Sequence, residues 1–188
     1  MILKTTGNDV ALQAITGNYV GIPYSRLDCQ AFVEQVLKDL GVRKPDGTPY
    51  NWRGSNSMFR NYINWRGTKQ ECIDQFGRIP PGAFVFLVKH DGGEKKHGYD
   101  DDLGNADHVG LYVGTTPNNC MDSQVSRGVD YTTDRIFTHV GLMSMIDYST
   151  EPLPADDTEA INAIHTIRDK ASTDRECLDA LRILSEYL

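Results

Sequence analysis

Apolar residues recur every three or four positions in the first half of the chain and every second position further on. This change of period separates a helical part from a sheet part. From Asp28 onward, Phe32, Val33, Val36, Leu37 and Leu40 fall on one helical face, Gly41 ends the run, and Asp28 is a good N-cap. A shorter helix capped by Asn8 precedes it; its Val10, Leu12, Ala14 and Ile15 form only a partial stripe, closed by Gly17, Gly21 and Pro23. The turn-rich stretch from Pro45 to Pro49 leads to two short helices. One is capped by Ser55 or Asn56 and carries Met58, Phe59, Tyr62 and Ile63. The other starts near Thr68, where Glu71 completes a capping box, and carries Cys72, Ile73 and Phe76. The aromatic residues of this region read equally as core or as a substrate wall.

Beyond Gly77 the pattern turns to strands. Ala83 to Val88 is a continuous apolar run, expected of a central strand covered on both faces. The polar loop from His90 to Asp107 follows; its Asp100, Asp101, Asp102 and Asn105 lack the EF-hand ligand spacing and read as a solvated loop bordering the site. From His108 to Gly114 the alternation puts Val109, Leu111 and Val113 toward the core and His108, Gly110 and Tyr112 on the other side. Small Gly110 leaves room there for another element, such as the helix that begins at Cys29. Thr116 to Asn119 is a turn, and Cys120 to Val125 is the hairpin partner, with Cys120, Asp122 and Gln124 on one face. A turn at Arg127-Gly128-Val129 leads into a weaker strand, about Ile136 to Asp147. After Pro152 and Pro154, two helices are expected, the second bearing Cys177, Leu178, Leu181 and Leu184. The fold class is therefore α+β: N-terminal helices on a small antiparallel sheet over residues 1–150, and a C-terminal helical pair over 151–188.

Charge and cysteine usage narrow the function. With 188 residues and a formal net charge of −7, the chain is a poor partner for nucleic acid or an anionic membrane, and no apolar run is long enough to insert. Met1 to Gly17 lacks the apolar core of a signal peptide, so synthesis in the cytoplasm is expected. Cys29, Cys72, Cys120 and Cys177 are far apart with no CxxC pair, which argues against a zinc site or a disulfide framework. No metal or organic cofactor is expected.

The chemistry centres on Cys29, placed at the first position of the Asp28-capped helix. A helix N-terminus favours thiolate, the form that attacks carbonyls. An isolated cysteine there is more often only packed. His108, opening a strand far along the chain, supplies the matching base of a nucleophile–base pair distant in sequence and adjacent in space.

Three segments carry a family resemblance in the right order. Asp28-Cys29-Gln30-Ala31-Phe32-Val33 resembles the Asp-Cys-Ser-Gly-Phe-Val signature of the NlpC family of papain-like cysteine peptidases. Ile79 to Phe86 resembles that family's Pro-Gly-Asp-Leu-Val-Phe strand, and Asp107 to Gly114 its His-Val-Gly-Ile-Tyr motif. The resemblance implies a papain-like fold with Cys29 as nucleophile and His108 as general base. It also implies a third polar residue on the next strand at Asp122, where the family usually has His, and Tyr24 and Asp28 on the substrate side. Gln124 remains the alternative third residue. The implied activity is hydrolysis of amide bonds in peptidoglycan stem peptides, commonly after a γ-D-glutamyl residue. Gln30-Ala31 in place of Ser-Gly, and the short segment between Tyr24 and Cys29, depart from the pattern.

The leading expectation is thus a cell-wall endopeptidase of the phage-lysin kind, acting on the wall after release or delivery; a delivered effector or a cytosolic recycling enzyme fits equally. Two rivals remain: a non-catalytic wall-peptide binding module of the same fold, and a thiol amidase or acyltransferase acting on another γ-glutamyl or acyl substrate.

Overall fold

Local capping decides where the N-terminal elements begin. In this computed structural model, which describes residues 5–44, 46–114 and 118–149, helix α1 spans Gly7–Thr16. Its cap is Thr6, not Asn8: the Thr6 hydroxyl takes the Asp9 amide while the Asp9 carboxylate takes the Thr6 amide, a reciprocal box that starts the helix earlier than expected. Helix α2, Cys29–Asp39, starts at Asp28 as anticipated. Helix α3, Gly54–Asn61, has no side-chain cap, because Ser55 and Asn56 are engaged elsewhere: Ser55 Oγ donates to the Ala106 carbonyl and Asn56 bonds Asn105 and the Ala106 amide. Strand β1, Trp65–Thr68, runs into α4, Lys69–Phe76, whose Thr68/Glu71 capping box is as expected.

The second half is sheet. It contributes β2 (Phe84–Lys89), the short helix α5 (Gly93–Lys96), β3 (Asn105–Tyr112), β4 (Cys120–Gln124), β5 (Gly128–Thr132), a single 3-10 turn at Asp134–Ile136, and β6 (His139–Leu142). Among the described residues these strands make one six-stranded antiparallel sheet in the order β1-β6-β2-β3-β4-β5. The chain is therefore α+β, helices first and sheet second. Three strand expectations need correction. β3 begins at Asn105, three residues early, because Ala106 is clamped by α3 and a register shift between Leu87 and Val88 absorbs Asp107. The single weak strand expected over Ile136 to Asp147 is only β6, and β1 and β5 were not anticipated. The 151–188 helical pair lies outside the described residues. No helix among the described residues is long and apolar enough to cross a membrane.

Apolar packing covers both faces of the sheet. Phe32, Val33, Val36 and Leu37 of α2 join Val10, Ala14, Phe84, Phe86, Val109, Leu111 and Met121 in the main core. On the opposite face Val85, Cys120, Phe137, Val140 and Leu142 pack with Cys72 of α4 in a smaller core. β2 is thus covered on both sides, as its continuous apolar run requires. The body of α2 lies on the Val109/Leu111 face, not over Gly110. The space expected over Gly110 is filled instead by the Phe137 ring, which the segment after β5 brings across.

Gly110 is required by this crossing. A Cβ there would sit 2.7 Å from the Met121 carbonyl oxygen, 3.0 Å from the Phe137 ring and 3.2 Å from Asp122 Cβ. Gly110→Ala should therefore cost about 1–3 kcal/mol of stability in urea denaturation. An unchanged midpoint would contradict the close approach.

Candidate active site

The segment before Cys29 is held by the far edge of the sheet. Gly21 donates its amide to the Val129 carbonyl and Val129 donates back to Ile22, both at 2.9 Å, so this segment continues the ladder beyond β5. The contact needs Gly128, whose φ is +73° and whose Cβ, if present, would lie 2.2 Å from the Ile22 oxygen. Ser123 Oγ donates to the Leu27 carbonyl. Asp28 then caps α2 from an extended conformation, its carboxylate accepting the Ala31 amide at 2.8 Å. Cys29 is consequently the first helical residue, buried to 8 % exposure, on a tip tied to β4 and β5. The second helical residue is bound as well: Gln30 accepts from the Gly54 amide and donates to the Trp52 carbonyl.

Strand pairing assembles the other half. Gly110 lies opposite Asp122, so His108 and Asp122 project from the same face of β3 and β4. His108 Nε2 meets Asp122 Oδ2 at 2.8 Å. That leaves Nδ1 toward Cys29, which lies close enough to the imidazole to act on its titration. Asp122 is wholly buried and keeps three partners: His108 and the Gln124 amide on Oδ2, and Arg127 on Oδ1 at 2.9 Å. Phe137 stacks on the imidazole with a 5.8 Å centroid separation and nearly parallel planes.

Electrostatics follow from these contacts. Burial works against charge on His108, but the interactions with Asp122 and Cys29 outweigh it and push the imidazole up to about 9. Burial also opposes ionisation of Asp122, and the His108, Gln124 and Arg127 contacts overcome that and hold it below the usual carboxylate range. Tyr24 is raised, first by burial and then by the neighbouring Cys29 and Asp28. Burial alone pushes Cys72 up to about 11, and Cys120 is raised by burial and by Asp134 and Asp122.

No family model, curated protein or solved structure matches this chain. The site therefore rests on its own geometry.

Of the five residues singled out in the sequence, the structure brings four together: Cys29, His108, Asp122 and Tyr24. Asp28 is adjacent, but one carboxylate oxygen is committed to the Ala31 amide, so its observed role is capping. Between the two candidates for the third position, Asp122 touches His108, and Gln124 touches Asp122. Arg127 and Phe137 were not anticipated. The sequence pattern places Arg127 in a turn and Phe137 in a weak strand and gives neither a chemical role. β3 adds Asp107 near Tyr24, while Asp101 of the polar loop before it is held by Arg60 at 2.7 Å. Among the described residues no group of three or more His, Cys, Asp or Glu side chains is arranged to hold a metal ion.

Asp122→Asn keeps an acceptor and removes the anion, so His108 should titrate about 1–3 units lower by NMR. The sign extends to stability. A histidine raised in the folded state contributes stability that is full below about pH 6.5 and lost as pH rises through about 9. That loss should be seen in the wild-type protein and should shrink in Asp122→Asn. Identical titrations in the two proteins would contradict the pairing.

Proposed function

We propose that the chain is a papain-like cysteine peptidase of the NlpC type that hydrolyses amide bonds in peptidoglycan stem peptides. One observation carries the reading: a cysteine at a helix N-terminus meets an imidazole whose far nitrogen is bonded to a buried carboxylate. This is the nucleophile–base–orienter arrangement of thiol hydrolases. The three sequence segments that resemble the family supply its residues in the family's order, and the helices-then-sheet architecture is compatible with it.

In this mechanism Cys29 and His108 rest as a thiolate–imidazolium pair with the shared proton on His108 Nδ1, and the thiolate sulfur attacks the carbonyl carbon of the scissile amide. The Cys29 amide, with no intrahelical acceptor at the first helical position, donates to the oxyanion. His108 returns the proton to the amine nitrogen as the C–N bond breaks, leaving a thioester on Cys29. His108 then takes a proton from water, hydroxide adds to the thioester carbonyl, and the C–S bond breaks to release the carboxylate product. Asp122 keeps Nε2 toward itself and stabilises the imidazolium between steps. Tyr24, beside Cys29, takes the substrate-side role that the family resemblance implies.

Mass analysis of products from purified muropeptides tests the reaction class. Hydrolysis of a stem-peptide amide, commonly after the γ-D-glutamyl residue, is expected. It should vanish in Cys29→Ala with an unchanged melting curve and fall by about 10²–10⁴-fold in His108→Ala. Full turnover in a folded Cys29→Ala protein would overturn the cysteine-peptidase reading. Transfer or amidase products in place of stem-peptide cleavage would replace the substrate class.

A further inference from the structure

The Asp122 carboxylate is divided between two tasks. Oδ2 faces the imidazole and Gln124, whereas Oδ1 faces only Arg127 among the described hydrogen bonds. A second carboxylate, Asp130, lies directly across the ladder from Asp122, and opposed like charges on one sheet face repel. Two of the other nearby acids have cations of their own: Lys89 pairs with Asp107 at 2.6 Å, and Lys69, which also acts on Cys120, pairs with Asp134 at 3.2 Å. Facing His108 and Asp122 are Cys29 from α2, Tyr24 from the preceding loop, Cys120 on β4, Asp130 on β5 and the Phe137 ring; Asp107 flanks His108 on β3, and Asp134 acts on Cys120. Among the described ion pairs, Arg127 is the side chain of permanent charge that meets Asp122 itself. It reaches in from the turn between β4 and β5, with its side chain 32 % exposed against none for Asp122.

We propose that Arg127 is a positioning residue of the site, fixing the Asp122 carboxylate toward His108 and tempering its charge so as to set the upper pH limit of the Cys29–His108 pair. It touches neither the nucleophile nor the base, and acts through Asp122. The inference rests on the mechanism above for its kinetic consequence, but not for its electrostatic one. Removing the guanidinium leaves a fuller negative charge on Asp122, which favours imidazolium, so His108 should titrate higher. This is the opposite direction from Asp122→Asn. A mere tether for the turn predicts no such shift.

The test is an NMR titration of His108 in the full chain, alongside the pH–rate profile for muropeptide hydrolysis. Arg127→Gln keeps a donor for Oδ1 without the charge. It should raise the His108 pKa, and with it the basic limb, by on the order of half a unit. Arg127→Lys restores the charge and should return both near the wild-type values. The rate loss in Arg127→Gln should fall on kcat rather than KM, since Arg127 does not meet the substrate. Should Arg127→Gln fail to fold, Arg127→Met provides the same neutral change in a side chain of similar length. An unmoved or lowered His108 pKa in the neutral variants, or equal shifts in Gln and Lys, would overturn the proposal. If His108 moves as expected but no stem peptide is cleaved, the charge setting stands and the proposed substrate falls. If cleavage persists and His108 does not move, the enzyme reading stands and the role of Arg127 falls.

Discussion

A carboxylate with no exposed surface is the constraint around which this site is built. An unpaired ion in that position costs several kcal/mol, and burial here pulls Asp122 toward its neutral form. Its three partners reverse that preference, and each arrives from a different place: His108 from β3, Gln124 from the end of β4, Arg127 from the next turn. The anion in turn keeps the half-buried imidazole protonated well above its ordinary range. Losing any one partner leaves a buried charge short of compensation, so these residues should behave as a coupled unit rather than as additive contributors.

The fold serves this unit by presenting it between two cores. The main core seats α2 against β3 and β4, which fixes the direction of the helix axis and so the position of Cys29. The smaller core lays Phe137 over His108 and closes the face that Gly110 leaves bare. The strand-like pairing of Gly21 and Ile22 with Val129 ties the two halves at the helix tip. A cysteine and a histidine far apart in sequence are thereby held in contact by packing on both sides of one sheet.

Much of this was legible in the residues. The 3.6-residue stripe of α2, its Asp28 cap and the period-two run of β3 are strong local signals, and alternation puts Asp122 and Gln124 on one face of their strand without choosing between them. What escaped was non-local or short. β1 and β5 have four and five residues and little apolar alternation, and their pairing is decided by β6 and β4. The cap of α1 went to Thr6, which offered a better reciprocal box, and α3 has no side-chain cap because Ser55 and Asn56 found partners on β3. Arg127 carried no motif at all; only the burial of Asp122 makes its charge matter. The occupant of the space over Gly110 was misassigned because a missing side chain reveals a close approach without naming what approaches.

The central claim is that Cys29 and His108 act as one unit, and alkylation of Cys29 tests it without any assumption about substrate. At neutral pH, iodoacetamide should label Cys29 rapidly in the wild-type chain while Cys72 and Cys120 stay nearly unmodified, as read by peptide mass spectrometry. In a folded His108→Ala variant the Cys29 rate should drop by about tenfold or more, since the group that accepts its proton is gone. Equal Cys29 rates in the two proteins, or a wild-type Cys29 no faster than Cys72, would contradict it.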